Sequence, residues 1–260
     1  MKYYVVDAFA ERIFEGNPAG VMILEDWISE QLMQNIAIEN NLSETAFAVR
    51  EGERYGLRWF TPGGEIDLCG HATLAAAFVI LNFIEGEKET VEFLTKSGIL
   101  IVNKRGELYE LDFPAMSSKE VPITDVMEKA LGVRPEEAYL NRDLILVLKS
   151  EDAVKNLCPD FDQLKKLPDG LGVCVTAAGN EVDFVSRAYF PKLNINEDPV
   201  TGSLHCSLIP YWSNQLGKKE LSARQLSTRG GRLFCSLQGE RVKIAGKAAL
   251  YSVGEIMIES

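Results

Sequence analysis

The chain of 260 residues is short of basic side chains: 27 Lys and Arg stand against 38 Asp and Glu, and the formal net charge is -11. So acidic a surface repels nucleic acid and anionic membranes, and neither is expected as a partner. Long apolar runs are missing too. The longest, Leu74 to Leu81, falls far below the roughly 20 residues that cross a bilayer. The opening MKYYVVDAFAER has neither the basic start nor the apolar core of a secretion signal, which leads us to expect a cytoplasmic protein. Cysteine is sparse and odd in number, five residues at 69, 158, 174, 206 and 235, which suits reduced thiols better than a disulfide framework. Histidine is sparser still, with only His71 and His205. There is no P-loop, no G-x-G-x-x-G after a strand and no G-x-S-x-G, so nucleotide cofactors and serine hydrolysis find no support and no cofactor is expected.

What is present reads as ordinary globular protein, 46% hydrophobic and 25% charged, long enough for one large domain or two. The second half echoes the first. Phe60-Thr61-Pro62 answers Tyr189-Phe190-Pro191, Cys69-Gly70-His71 answers Thr201-Gly202-Ser203, and Thr95-Lys96-Ser97-Gly98 answers Thr228-Arg229-Gly230-Gly231. Three echoes in one order point to duplication. Each copy starts β-rich (Met22 to Leu24, Leu144 to Leu148) and continues with apolar residues at helical spacing (29 to 39, and more weakly 151 to 164). A strand follows (Thr45 to Val49, Gly172 to Thr176), then the aromatic and proline loop, an apolar helix, and closing strands such as Ile99 to Val102 and Leu108 to Phe113.

The apolar helix follows the polar mouth of EIDLCGHATLAAAF, residues 65 to 78, and a helix apolar on every face must be enclosed on every side. The expected fold is therefore α+β: two pseudo-symmetric barrel-like domains, each a curved antiparallel or mixed sheet wrapped around a central helix. The first should cover 1–115, joined by a C-terminal strand over 249–260, and the second 116–248. The helices are expected over 72–83 and 203–215, starting at a cleft between the two units. There Gly70-His71 and Gly202-Ser203 would offer free N–H groups and positive helix ends to an anion such as a carboxylate.

Taken singly, the residues that could do chemistry remain ambiguous. His71, at a predicted helix N-terminus, is expected neutral because the dipole disfavours its charge, and it reads either as a proton-handling group or as a cap. His205, on an apolar helix face, reads as structural. Asp198 before Pro199 is a candidate turn or cap residue, and Glu44 in NNLSETAFAV would pass for a loop carboxylate. Cys69-x-His71 and His205-Cys206 contain zinc-ligand types, but the spacing fits no usual zinc pattern and two positive helix ends oppose a cation. No metal is expected.

Together the motifs carry a resemblance. DAFAERIFEGNPAGV, NLSETAF, EIDLCGHATLAAAF, EDPVTGS and GKAALYSVGEI resemble, in that order from Asp7 to Ile256, the phenazine-biosynthesis isomerase family often called PhzF-like. Family members look like diaminopimelate epimerase in fold. The resemblance implies that Glu44 is the acid/base, that His71 and Asp198 assist it, and that Gly70, Gly202 and Ser203 contact substrate beside Cys69 and Thr201. The wider superfamily uses two cysteines, one in each repeat; here Cys69 holds the first place and Thr201 the second, and a threonine hydroxyl is too weak a base for thiol-type racemisation. The reaction implied is a cofactor-independent proton shift on a small carboxylate-bearing substrate by a chain that could pair as a homodimer. Glu44, ordinarily near a pKa of about 4.3, would need burial to raise it. A one-base epimerase of an amino or hydroxy acid, and a binding protein without turnover, are the alternatives.

Overall fold

The computed structural model describes residues 1–258, and the chain divides into two compact units, Met1–Asp112 with the segment from Ile244 onward, and Phe113–Lys243. The first contains β1 (Lys2–Ala8), β2 (Asn17–Leu24), α1 (Glu30–Asn40), β3 (Glu44–Glu51), β4 (Arg54–Thr61), β5 (Gly64–Ile66), α2 (Gly70–Val79), β6 (Thr90–Thr95), β7 (Gly98–Arg105) and β8 (Leu108–Pro114). The second contains β9 (Lys119–Glu120), α3 (Asp125–Leu131), β10 (Glu137–Leu140), β11 (Leu144–Val147), α4 (Glu151–Lys155), α5 (Phe161–Lys165), β12 (Val173–Ala178), β13 (Phe184–Phe190), β14 (Ile195–Asp198), α6 (Gly202–Leu216), β15 (Glu220–Gln225) and β16 (Gly231–Gln238). The chain returns to the first unit through β17 (Arg241–Gly246) and ends in β18 (Ala248–Glu255), which pairs antiparallel with β1. The C-terminal strand was expected over 249–260, of which residues 259 and 260 lie outside the described residues. Among the described residues no helix is long and apolar enough to cross a membrane.

The duplication read from the sequence is written in the strand pairings. In the first unit β1–β2 is antiparallel, β2–β3 parallel, β3–β4 and β4–β5 antiparallel, β4–β6 parallel and β6–β7 antiparallel. The second unit repeats that order with β10–β11, β11–β12, β12–β13, β13–β14, β13–β15 and β15–β16. A parallel pair needs a crossover, and helices supply it. In the first unit α1 bridges β2 to β3 and α2 bridges β4 to β6.

The two crossovers of the first unit lie on opposite faces of the sheet, and side-chain alternation shows which is which. Met22, Leu24, Phe47 and Val49 pack with Met33, Ile36 and Ala37 of α1. The residues between them, Ala19, Val21, Ala46 and Ala48, are buried on the other face, and there β2 and β3 pack on α2. α2 also meets β1, β7 and β18, so sheet surrounds it. Leu74, Ala75, Ala76 and Ala77 are 0% exposed, which explains a helix with no polar face. The expected span 72–83 is corrected at both ends. The helix starts at Gly70, and its last turn is a π-helical turn, Ile80–Ile84, closed by the Glu85 N–H donating to the Ile80 carbonyl at 2.7 Å. Phe83 and Ile84 there reach solvent, 46% and 45% exposed.

In the second unit α6 carries Pro210 in its interior. Proline has no N–H to give the carbonyl four residues earlier; that carbonyl, of Cys206, instead accepts the Met116 N–H at 2.9 Å. Trp212 stacks on Phe184 of β13 with ring centroids 5.8 Å apart and donates its indole N–H to Thr176 of β12 at 2.9 Å. The other face of this sheet carries α3, α4 and α5, whose Met127, Leu131, Val154 and Leu164 pack on Leu144, Leu146, Val173 and Val175. The single helix expected over 151–164 is two five-residue helices. Ser150 and Asp160 each cap one, accepting the N–H groups of Ala153 at 3.2 Å and Gln163 at 3.0 Å. Pro159 separates them because the residue before a proline is disfavoured in helical backbone.

If enclosure of α2 holds the first unit together, Leu74→Ala should cost about 2 to 5 kcal/mol in a urea melt, the usual range for such a cavity. A loss under about 1 kcal/mol would show that the sheet does not close on the helix.

Candidate active site

Three segments of the first unit bring polar side chains to the head of α2. β2 and β3 run parallel with Ala19 opposite Glu44, so both strands start at the same end. Asn17 shares the helix-facing parity of Ala19 and Val21, and Glu44 that of Ala46 and Ala48. His71 is the second residue of α2. These constraints place Glu44 Oε2 2.9 Å from His71 Nε2. On the far side of the ring, Asn17 Nδ2 lies 3.3 Å from Nδ1 and Cys69 Sγ lies 3.5 Å from it. Ser43, the neighbour of Glu44, donates its hydroxyl to Asn17 Oδ1 at 3.4 Å. Asn17, Cys69 and His71 are buried. Glu44 is no loop carboxylate, as its sequence context alone suggested, but the first residue of β3, half-buried and turned inward.

The charge state of His71 differs from that expected. Burial disfavours the imidazolium, but the neighbouring Cys69 sulfur and Glu44 carboxylate outweigh it and hold the pKa well above the ordinary 6.5. Burial, reinforced by the Glu44 charge, pushes the Cys69 thiol up in turn, so the sulfur keeps its proton and the carboxylate is what keeps His71 charged. The helix dipole argued for neutral imidazole, but a carboxylate 2.9 Å from the ring is stronger than a helix end. Donor atoms of Glu44, Cys69 and His71 lie within 4.8 Å of one another, so they are the set that could ligate a cation. A cation would have to displace protons that both shifts retain.

The equivalent helix head in the second unit is built differently. Asp198 ends β14, and its Oδ2 accepts the Thr201 hydroxyl at 2.5 Å. Buried Gln225 holds this turn from three sides. Its Oε1 accepts the Thr201 N–H at 2.9 Å, and its Nε2 donates to the Asp198 carbonyl at 2.8 Å and to Thr201 Oγ1 at 3.2 Å. Ser203 accepts from Arg142 Nη2 at 2.9 Å, and Arg142 is itself paired with buried Asp143. Neither Cys69 nor Thr201, the residues preceding α2 and α6, caps its helix through a side chain among the described residues. The first-turn N–H groups around Gly70 and Gly202 thus keep the unpaired character of a helix start. His205 is buried. It is the counterpart of Thr73: each side chain returns to the carbonyl four residues earlier, Thr73 Oγ1 to Cys69 at 2.6 Å and His205 Nδ1 to Thr201 at 2.9 Å. Burial lowers the His205 pKa to about 4, so this ring is neutral.

Asn17, Gln225 and Arg142 were not singled out from the sequence. Gln225 left a faint signal there, since it continues the buried alternation of Leu221 and Ala223 in β15 with a polar side chain.

The thiols offer a simple check. Cys158 is the exposed thiol, whereas Cys69 is buried and fully protonated. Iodoacetamide should alkylate Cys158 in the native protein and reach Cys69 only after denaturation, read by peptide mass spectrometry. Fast native labelling of Cys69 would contradict this account of the site.

The sequence model of the family described as phenazine biosynthesis-like protein, PhzC-PhzF, matches residues 6–254. A Pseudomonas aeruginosa protein named as an uncharacterized isomerase is 52% identical over 99% of both chains. The crystal structure of a phenazine biosynthesis protein of the PhzF family from Enterococcus faecalis superposes with a TM-score of 0.98 at 57% identity, covering 99% of each chain. The fold reaches further. A probable proline racemase from Agrobacterium radiobacter, solved with bound carbonate, aligns at a TM-score of 0.64 with 10% identity over 99% of this chain and 93% of its own. Matched from residue 6 to residue 254, the chain belongs to the phenazine biosynthesis-like PhzF family.

Proposed function

We propose that the chain is a cofactor-independent isomerase that moves a proton on a small carboxylate-bearing substrate, with Glu44 as general acid/base. The observation that carries this reading is the Glu44 carboxylate 2.9 Å from His71 at the sheltered head of α2. Glu44 takes a proton from a carbon beside an activating group and returns it elsewhere on the same face. As the carboxylate gains that proton, the His71 charge loses its partner and becomes available to the negative charge growing on the substrate. Positioned acid/base groups of this kind contribute about 10² to 10⁴ in rate.

In the second unit, Asp198, the assisting carboxylate that the family motif implies, is held in one orientation by Thr201 and Gln225. A carboxylate would suit the helix-start N–H groups at Gly70, beside Cys69, in the first unit, and those at Gly202, with the Ser203 hydroxyl and Thr201 beside them, in the second. Two-thiol chemistry is disfavoured on both sides. Cys69 keeps its proton, and the Thr201 hydroxyl is committed to Asp198. Relatives that carry the word isomerase in their names, among them one from Halalkalibacterium halodurans at 45% identity, support the reaction class.

Incubating a panel of small carboxylic acids with the protein in heavy water, with mass spectrometry as the readout, tests the reading. The wild type should put deuterium into a substrate with a shift of a double bond. Glu44→Gln should abolish exchange, a loss of at least about 10²-fold, and Cys69→Ser should keep it. Exchange that survives Glu44→Gln and dies in Cys69→Ser would move the role to the thiol. Label entering with inversion at one centre would make the protein an epimerase.

A further inference from the structure

We propose that Arg142 is a positioning residue that holds the Ser203 hydroxyl as a hydrogen-bond donor, so that the head of α6 selects ligands bearing a carboxylate oxygen. The turn Asn141-Arg142-Asp143 between β10 and β11 grips two successive turns of α6. Arg142 Nη2 donates to Ser203 Oγ at 2.9 Å, and Asn141 Nδ2 donates to Ser207 Oγ at 2.5 Å. Residues four apart share one face of a helix, so both contacts fall on the same side of α6. The turn itself is tied down. Buried Asp143 accepts Arg142 Nε at 2.9 Å and Nη2 at 2.5 Å on Oδ2, and the Gly172 N–H at 2.9 Å on Oδ1. Its own N–H donates to Asn141 Oδ1 at 3.0 Å, and the Arg142 carbonyl accepts the Leu171 N–H at 2.9 Å.

A guanidinium has five N–H donors and no acceptor. Ser203 Oγ can therefore only accept from Arg142, and the serine hydrogen must point elsewhere. Among the described residues no protein acceptor takes it. The other hydroxyl at this helix head is spent, because Thr201 donates to Asp198 and receives Gln225 Nε2. A side-chain amide in place of Arg142 could turn over and accept from Ser203, which would free the hydroxyl to swap roles; a guanidinium cannot. The first unit has a matching arrangement. Its connection from β1 to β2 delivers Asn17 to within 3.3 Å of His71, which holds the place that Ser203 holds in the second unit.

The role assigned to Arg142 rests on the reading above, in which a carboxylate suits the head of α6, but its test uses no turnover. Acetate stands in for that carboxylate. Titrating nitrogen-15 protein with sodium acetate, against sodium chloride at equal ionic strength, should move the Gly202 and Ser203 amide resonances saturably in the wild type. Arg142→Met and Ser203→Ala should each weaken acetate by about 10-fold or more, as loss of a hydrogen bond to a charged group does. The double variant should be no weaker than either single one. A guanidinium acting by its charge alone, or a purely structural one, would lose affinity in both backgrounds. Arg142→Lys, which donates and cannot accept, should restore part of the loss.

Arg142→Met leaves Asp143 without its cation, and a second readout covers the case in which it does not fold. At saturating acetate the Arg142 Nε–H resonance should shift in the wild type and stay still in Ser203→Ala. Wild-type Gly202 and Ser203 amides that ignore acetate, losses that add in the double variant, or an Arg142 signal that follows acetate in Ser203→Ala would each overturn the proposal. Absence of deuterium exchange would strike the isomerase reading and leave this result standing, whereas additive losses would strike the role of Arg142 and leave the isomerase reading intact.

Discussion

One contact, 2.9 Å between Glu44 and His71, underlies the chemistry proposed for the first unit, and enclosure of α2 is what makes that contact matter. A helix wrapped by strands has no wet face, so charge can enter only at its ends. At the head of α2 the ring sits where neither burial nor the helix dipole favours its charge. Glu44 reverses both. Removing either partner would strand a buried or half-buried ion, which is why the pair must be considered together. In the proposed reaction the Glu44 carboxylate, held against the His71 imidazolium with a neutral thiol beside them, is the group that accepts a proton from carbon.

The duplicated plan explains how one architecture supplies two different helix heads. Both units use the same succession of strand pairings, and both start their inner helix after a small polar residue that leaves the first turn uncapped. Where the first unit has Cys69 and His71, the second has Thr201 and Ser203. Thr201 is drawn into a network with Asp198 and Gln225, which turns a position that could have carried a second thiol into a support for a carboxylate. The helix interiors diverged as well. Small alanines let the sheet close on α2, while α6 fills its surroundings with Trp212 and tolerates Pro210 because Met116 takes the carbonyl left over.

Much of this was legible in the residues, and the exceptions share a cause. The apolar run from Leu74 shows an enclosed helix because no polar face exists to be misread, and the repeated aromatic-proline and glycine motifs show the duplication. Glu44 could be told from a loop carboxylate only through the family motif, since nothing in NNLSETAFAV reveals which way a first strand residue points. The charge of His71 is misread from the helix dipole because its deciding neighbour lies on another strand, with no signal in local sequence. Asn17 and Gln225 escape for the same reason. The break at Pro159 is visible but overridden by a weak apolar period, whereas the π-helical end of α2 leaves no sequence mark.

The most direct measurement of the central claim is the protonation midpoint of His71, followed by ring nitrogen shifts, in wild type and in Glu44→Gln. If the Glu44 charge is what holds the imidazolium against burial, the midpoint should fall from well above 6.5 in the wild type to below 6.5 in the variant, where burial acts with much less opposition. A midpoint that stays high after Glu44→Gln would show that another charge sustains the ring and would remove the basis for assigning proton transfer to this pair.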